Sequence, residues 1–254
     1  MDVGLRDSVA LVTGGAKGVG AGISRVLVDL GATVVACGRR APKAVPDGVE
    51  FIAADVRDDD QVRDLVATVA GRHGRLDVLV NNAGGAPRTD AATASPRLHA
   101  KIVELNLLAP LLVAQAANAV MQEQERGGSI VMISSVSGHR PSPGTAAYGA
   151  AKAGLDNLVA SLAVEWAPRV RVNSVVAGMV RTEQAHLHYG DDAGIAAVGA
   201  TVPLGRLAEP EEIGRCVAFL ASPLASYVSG TALLAHGGGE VPAFLAAANV
   251  EESG

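Results

Sequence analysis

The sequence predicts an α/β fold: a doubly wound, seven-stranded parallel sheet with helices on both faces. Three observations carry this. Short runs rich in Val, Ile and Leu alternate with longer helical patterns along the whole 254-residue chain. The apolar positions within those short runs are nearly continuous, as in strands covered on both faces. The composition is 49% hydrophobic but only 3% aromatic, so Ala, Val, Leu and Ile do the packing, as helices on a parallel sheet require.

The first strand, 8–13, runs through a glycine-rich turn into a helix at 21–30. Strands at 32–37 and 49–53 follow. The segment between them, 39–48, holds two prolines and is too short for a proper helix, so an irregular loop is predicted. A helix at 59–72 starts behind Asp58-Asp-Asp60, which reads as capping with charge favourable to the helix dipole. Next come a strand at 76–81, a long helix at 98–123, a strand at 129–134, a helix at 146–167 and a strand at 169–176. A helix at 210–221 and a short strand at 231–235 close the pattern. Strand–helix–strand order implies right-handed crossovers and one parallel sheet. Residues 190–203, rich in Gly and Ala with few anchors, read as a mobile loop within a substrate loop of about 183–204. A tail follows from about 240 to 254. Without repeats or a linker, 1–254 reads as a single domain.

The formal net charge of −5 argues against a nucleic-acid partner, which calls for a basic footprint. Cys37 and Cys216 form neither a disulfide framework nor metal-ligand spacing, and no metal site is predicted. The N-terminus carries no signal-peptide pattern, and no stretch has the roughly 20 predominantly apolar residues of a membrane span. A cytoplasmic protein is expected. Its Ala-rich, Arg-over-Lys usage resembles that of a high-GC bacterial genome. Only Lys17, Lys43, Lys101 and Lys152 are lysines among the 21 basic residues.

The turn Thr13-Gly-Gly-Ala-Lys-Gly-Val-Gly20 joins the first strand to the first helix. Glycines let the backbone approach a pyrophosphate, and a helix N-terminus offers free N–H groups and a positive dipole. Gly14, Ala16, Lys17, Gly18, Val19 and Gly20 are therefore candidate cofactor contacts, although the spacing departs from G-x-G-x-x-G. About 20 residues on, where a carboxylate would accept the ribose hydroxyl of NAD, the chain reads Val34-Val-Ala-Cys-Gly-Arg-Arg40. Arg39 and Arg40 match a phosphate instead, which favours NADP(H) over NAD(H), with Lys17 adding charge on the same side. The alternative is that both arginines are solvated loop charges.

Together, this turn, Asn81-Asn-Ala-Gly84 and Tyr148-x-x-x-Lys152 resemble the short-chain dehydrogenase/reductase family, with its Rossmann-type fold. The likeness runs from about residue 5 to 239. Pro203-Leu-Gly-Arg-Leu-Ala-Glu-Pro-Glu-Glu212 and Ala221-Ser-Pro-Leu-Ala-Ser-Tyr-Val-Ser-Gly230 resemble its C-terminal segment. The resemblance implies a catalytic set of Asn106, Ser135, Tyr148 and Lys152. It also implies Asp55 and Val56 near the adenine, Asn82, Ala83 and Gly84 along the ribose, and Gly178, Val180 and Thr182 near the carboxamide. Where the family usually reads Pro-Gly after the sixth strand, this chain has Ala177-Gly178, so a looser loop is expected there.

The residues support this chemistry. Tyr148 and Lys152 lie four apart and share a helix face. A lysine ammonium or an oxidised nicotinamide beside a phenol stabilises the phenolate. Ser135 closes the fifth strand at the sheet edge where such folds bind ligands. Within the long helix, Pro110 cannot donate to the Asn106 carbonyl, which leaves that oxygen for a water; the resemblance makes this water part of a proton relay. His139 and Arg140 could line the substrate mouth. His186, His188 and Tyr189 could touch substrate or sit on a lid, and Trp166 reads as core or interface packing.

An NADP(H)-preferring oxidoreductase acting on a secondary alcohol or ketone is the expectation, with a 3-oxoacyl thioester, a steroid or another apolar ketone as substrate. The apolar stretch 194–204 suits such a substrate. The alternatives are an NAD-dependent alcohol dehydrogenase of the same family and a non-catalytic cofactor-binding regulator. The resemblance implies a homotetramer or homodimer, and the apolar faces of the long helices fit burial between subunits.

Overall fold

In the computed structural model, which describes residues 3–248, seven strands pair in parallel in the order β3-β2-β1-β4-β5-β6-β7. They are β1 (Val9–Thr13), β2 (Thr33–Gly38), β3 (Val49–Ala53), β4 (Val78–Asn81), β5 (Gly128–Ser135), β6 (Val170–Ala177) and β7 (Ala232–Ala235). The chain winds outward from β1 to β3, then returns to lay β4 against the other side of β1. This reversal leaves a crevice at the carboxyl ends of β1 and β4, where open parallel sheets bind ligands.

Both sheet faces are buried, as the continuous apolar runs predict. Along β1, Val9 and Leu11 join one core layer while Ala10 and Val12 join the other. The first layer includes α2 (Asp59–His73), α4 (Ala109–Glu123) and α5 (Ala146–Glu165), through Leu65, Met121 and Leu155. The second includes α1 (Gly18–Asp29) and α8 (Pro210–Ala221), through Ile23, Leu27 and Val217. Burying such a side chain stabilises the fold by about 1.5–3 kcal/mol. Asp58 caps α2 by accepting from the Gln61 N–H, and the 39–48 link is irregular. Both agree with the sequence.

The long helix departs from the sequence-based expectation. Ser95 caps α3 (Pro96–Val103), and a π turn (Glu104–Leu108) then separates it from α4. In this wide turn the Ala109 N–H reaches back five residues to the Glu104 carbonyl. Pro110, without an N–H, follows where a regular helix needs a donor. The continuous 96–123 helix is also long and apolar enough to cross a membrane by length and composition. Here Val113, Ala114, Ala117 and Met121 pack into the core.

The segment 190–203 also differs. Rather than a mobile loop it contains α7 (Asp192–Ala200), capped by Asp191 through the Gly194 N–H. Alanine-rich composition favours helix once a cap is present. Before it lies the short α6 (His186–Tyr189). Of the predicted tail, the described part holds α9 (Ala243–Ala247), and 249–254 lies outside the described residues.

Helices α1 and α8 meet at glycine. A Cβ on Gly22 would lie 2.4 Å from Pro210 Cβ, whereas one on Gly71 of α2 would meet nothing within 4 Å. Thermal melts followed by circular dichroism should separate them: Gly22→Ala is expected to destabilise by about 1–3 kcal/mol, and Gly71→Ala to stabilise by about 0.5–1 kcal/mol.

Candidate active site

The carboxyl ends of β1, β2, β4, β5 and β6 open onto one cavity of about 700 Å³, a volume typical of small-molecule sites. At its start, the β1–α1 turn takes Gly14 through φ +66°, and a Cβ on Gly20 would strike the Gly14 carbonyl oxygen at 2.3 Å. Only glycine closes this turn so tightly. Lys17, at the N-cap of α1, makes no side-chain capping bond, and the first turn holds no acid. The N–H groups of this helix end are therefore suited to an external anion.

Thr13 and Asn82 brace the crevice. Thr13 Oγ1 accepts from the Asn82 and Ala83 N–H groups, each at 2.9 Å. Asn82 Nδ2 donates to the Thr13 carbonyl at 2.9 Å. Asn82 thus lines the cavity while its amide clamps the β1 turn to the β4 turn.

The chemical end rests on α5 and β5. Lys152 Nζ is buried and donates to the Ile133 carbonyl at 2.7 Å. It lies 5.7 Å from the centroid of the Tyr148 ring, and the Ser135 hydroxyl is hydrogen-bonded to Tyr148. Burial pushes Lys152 down to about 8, opposed by the charge of Asp156. Burial raises the Tyr148 phenol above its usual value, against the Ser135 hydrogen bond. In the protein without cofactor, burial of the phenol outweighs the Ser135 hydrogen bond.

Gly84 lies between the two polar groups behind this site. A Cβ there would sit 2.7 Å from Asn106 Oδ1 and 3.5 Å from Lys152 Nζ. Asn106, fully buried, accepts from the Gly85 N–H at 2.8 Å and donates to the Gly85 and Ile102 carbonyls, each at 2.9 Å. The wide helical turn therefore ties Asn106 to the loop after β4.

Most of the residues expected from sequence share this cavity: Gly14, Lys17, Gly18, Val19, Gly20, Arg39, Asp55, Val56, Asn82, Ala83, Gly84, Ser135, Tyr148, Lys152, Gly178, Val180 and Thr182 all line it. Asn106, Ala16 and Arg40 do not: Asn106 is fully buried, while Ala16 and Arg40 face an adjoining cavity of about 480 Å³ that also includes Lys17, Arg39 and Phe51. The Asp55 carboxylate is engaged by Arg57 at 2.6 Å, which holds it below the usual range.

The loop after β6 is not loose at its root. Val180 bridges Ala208, and the Gly178 N–H donates to the Ala235 carbonyl at 3.0 Å. Backbone pairing supplies the restraint expected to be missing without proline. His188 lines the cavity, whereas His139 and Arg140 border a separate one of about 490 Å³. Trp166 is partly buried against the core.

Sequence reading missed Glu183 and Gln184, which also line the main cavity. Glu183 Oε1 accepts from the Gly18 N–H at 3.0 Å, so a carboxylate from the segment after β6 stands at the anion-seeking end of α1. The contact spans 165 residues, and no local motif encodes it.

The glycine cradle, the helix end without a cap from its own N-cap residue and the cavity fit a nicotinamide dinucleotide, and the hydroxyl pair beside a buried ammonium fits proton exchange. Fold and site thus define an oxidoreductase. Residues 14–240 match a family model described as enoyl-(acyl carrier protein) reductase. A 3alpha-hydroxysteroid dehydrogenase of Mediterraneibacter gnavus is 35% identical, over 92% of this chain and 97% of its own. A cis-4-hydroxycyclohexanecarboxylate dehydrogenase of Sinomonas cyclohexanicum is 37% identical, over 91% and 96%. The ligand-free aldohexose dehydrogenase of Thermoplasma acidophilum superposes with a TM-score of 0.88 at 30% identity, covering 98% of both chains. The chain belongs to the short-chain dehydrogenase/reductase family, NAD(P)-dependent oxidoreductases acting on alcohols and ketones.

Because Glu183 and a dinucleotide pyrophosphate seek the same N–H groups, Glu183→Gln should tighten dinucleotide binding. A Kd roughly two- to fivefold lower by calorimetry corresponds to removing a carboxylate from a helix end. Unchanged or weaker binding would contradict the competition.

Proposed function

We propose that this chain is an NADP(H)-preferring oxidoreductase exchanging hydride with a secondary alcohol or its ketone. The observation that carries this is the convergence of the Ser135 and Tyr148 hydroxyls beside Lys152, in the same cavity as the glycine turn and Arg39. When bound, the dinucleotide supplies or takes the hydride, and its oxidised ring adds a positive charge.

In the reductive direction the Tyr148 hydroxyl donates its proton to the substrate oxygen while Ser135 hydrogen-bonds that oxygen. A raised phenol pKa keeps this proton in place until the substrate oxygen gains negative charge. Lys152 Nζ has one hydrogen on the Ile133 carbonyl, leaving two for ribose hydroxyls. The Asn106 main-chain carbonyl, in the wide turn before Pro110, holds the water of a proton relay. Gly14 and 17–20 hold the pyrophosphate, and Asp55 and Val56 border the adenine. Asn82, Ala83 and Gly84 follow the ribose, with Gly178, Val180 and Thr182 at the carboxamide. Arg39 and Lys17 meet the 2′-phosphate, with Arg40 and Ala16 in the adjoining cavity.

An apolar ketone, a steroid or a 3-oxoacyl thioester is the substrate class. The names of the two curated relatives, acting on ring-borne hydroxyls, support an alicyclic alcohol. A cytoplasmic homotetramer is the working form. Exposed Leu108 and Val164 on the long helices support it, as do Phe219, Leu224, Tyr227 and Leu234 around α8 and the edge strand β7.

The assignment is tested by following nicotinamide absorbance across ketones, 3-oxoacyl thioesters and steroid alcohols. Tyr148→Phe should lower kcat by roughly 10²–10⁴-fold while dinucleotide binding survives, and unchanged turnover would sink the acid/base role. Arg39→Ala should weaken NADPH binding about tenfold or more and leave NADH binding nearly unaltered. Equal losses for both cofactors would contradict the phosphate role of Arg39.

A further inference from the structure

Helix α5 carries a third polar residue on the stripe of Tyr148 and Lys152. Asp156 lies one turn beyond the lysine, and its side chain is only 12% exposed. Oδ1 accepts from Ser174 Oγ at 2.7 Å, and Oδ2 accepts from Ser134 Oγ at 2.7 Å. His139 Nε2 lies 2.9 Å from the same Oδ2. The carboxylate thereby joins α5 to β5, to β6 and to the segment that follows Ser135.

The pairing is ordered along β5. Lys152 takes the carbonyl of Ile133, Asp156 takes the hydroxyl of Ser134, and the next residue is Ser135. Beyond Ser135 the chain lies hard against α5: a Cβ on Gly138 would sit 2.7 Å from the Ala153 nitrogen, one residue before His139. The partners of Asp156 thus bracket Ser135 on both sides.

We propose that Asp156 is a positioning residue of this site. Its carboxylate holds the Lys152 ammonium in its charged form and fixes the Ser135 segment against α5. The proposal rests on the reading of Lys152, Tyr148 and Ser135 as the chemical set. A buried ammonium is disfavoured by desolvation, and a nearby carboxylate offsets that penalty. Other titratable or charged groups on elements packed against α5 are Arg97, His99 and Lys101 on α3, Glu104 in the wide turn, His139, and Arg171 on β6. Among these and Asp156, the aspartate is the one whose charge bears on Lys152. An anchor with no electrostatic role would strengthen the fold and leave the lysine's titration alone.

The chain's four lysines make that titration readable. With lysine labelled by ¹³C at Cε, the Lys152 signal of the free protein is identified by its absence from Lys152→Met. It should titrate near 8, the value burial imposes. Asp156→Asn and Asp156→Ser both remove the charge with different shapes, so one can serve where the other does not fold. In either, the Lys152 midpoint should fall by at least roughly half a pH unit. Asp156→Glu should restore most of it. Ser174→Ala, which keeps the carboxylate, should lower Tm without moving the midpoint. A folded neutral variant with the wild-type midpoint overturns the proposal. Neither substrate nor cofactor is needed, so this outcome is separate from that of Tyr148→Phe.

Discussion

The site is organised around a buried ammonium. Lys152 Nζ, fixed to the Ile133 carbonyl, joins helix α5 to strand β5, and the space around it dictates the neighbouring residues. Gly84 must be small because a side chain there would clash with Asn106 Oδ1, with Nζ in contact just beyond. Asn106 in turn holds Gly85 by both its carbonyl and its N–H, from a turn of helix widened to aim it inward. Three segments distant in sequence, near residues 84, 106 and 152, are thus mutually determined. Burying a charge is tolerated only with hydrogen bonds and compensating charge. The carbonyl of Ile133 provides the first and Asp156 the second.

The same burial governs the proton of Tyr148. An enclosed phenol beside a partly compensated ammonium stays neutral more readily than one in water. That state suits proton donation to a carbonyl oxygen. Oxidation of an alcohol needs the phenolate, and positive charge must then be added to the cavity. In the protein alone burial favours the protonated phenol, and the positive ring of an oxidised dinucleotide would favour the phenolate. This is a property of the assembled cavity and not of the Tyr-x-x-x-Lys spacing.

Much of this architecture was legible in the sequence because it depends on local or periodic features. Continuous apolar runs marked strands buried on both faces, the glycines between Thr13 and Gly20 marked a helix-entry turn, and a spacing of four put Tyr148 and Lys152 on one face. Contacts set by three-dimensional approach were not legible. Nothing near Glu183 indicates that it meets Gly18, and nothing near Asn82 shows that its amide braces the β1 turn. The π turn was half visible through Pro110, whose missing donor was noted without the wider coil that accommodates it. Helix α7 was missed because low anchoring was read as mobility, although Asp191 provided a cap. Arg39 and Arg40, equivalent as charges, part company only at the strand end, where both line the adjoining cavity and Arg39 also lines the main one.

The central claim, that burial keeps Tyr148 protonated and that a cationic ligand ring reverses this, is tested by the ultraviolet difference spectrum of tyrosine ionisation. The chain has three tyrosines, and subtracting the spectrum of Tyr148→Phe isolates the one that matters. In the free protein its phenolate should form only above the ordinary value of 10. With saturating oxidised dinucleotide the transition should move to lower pH, while the reduced form leaves it high. A phenolate already present near neutral pH in the free protein, or a transition indifferent to the oxidised cofactor, would contradict the account.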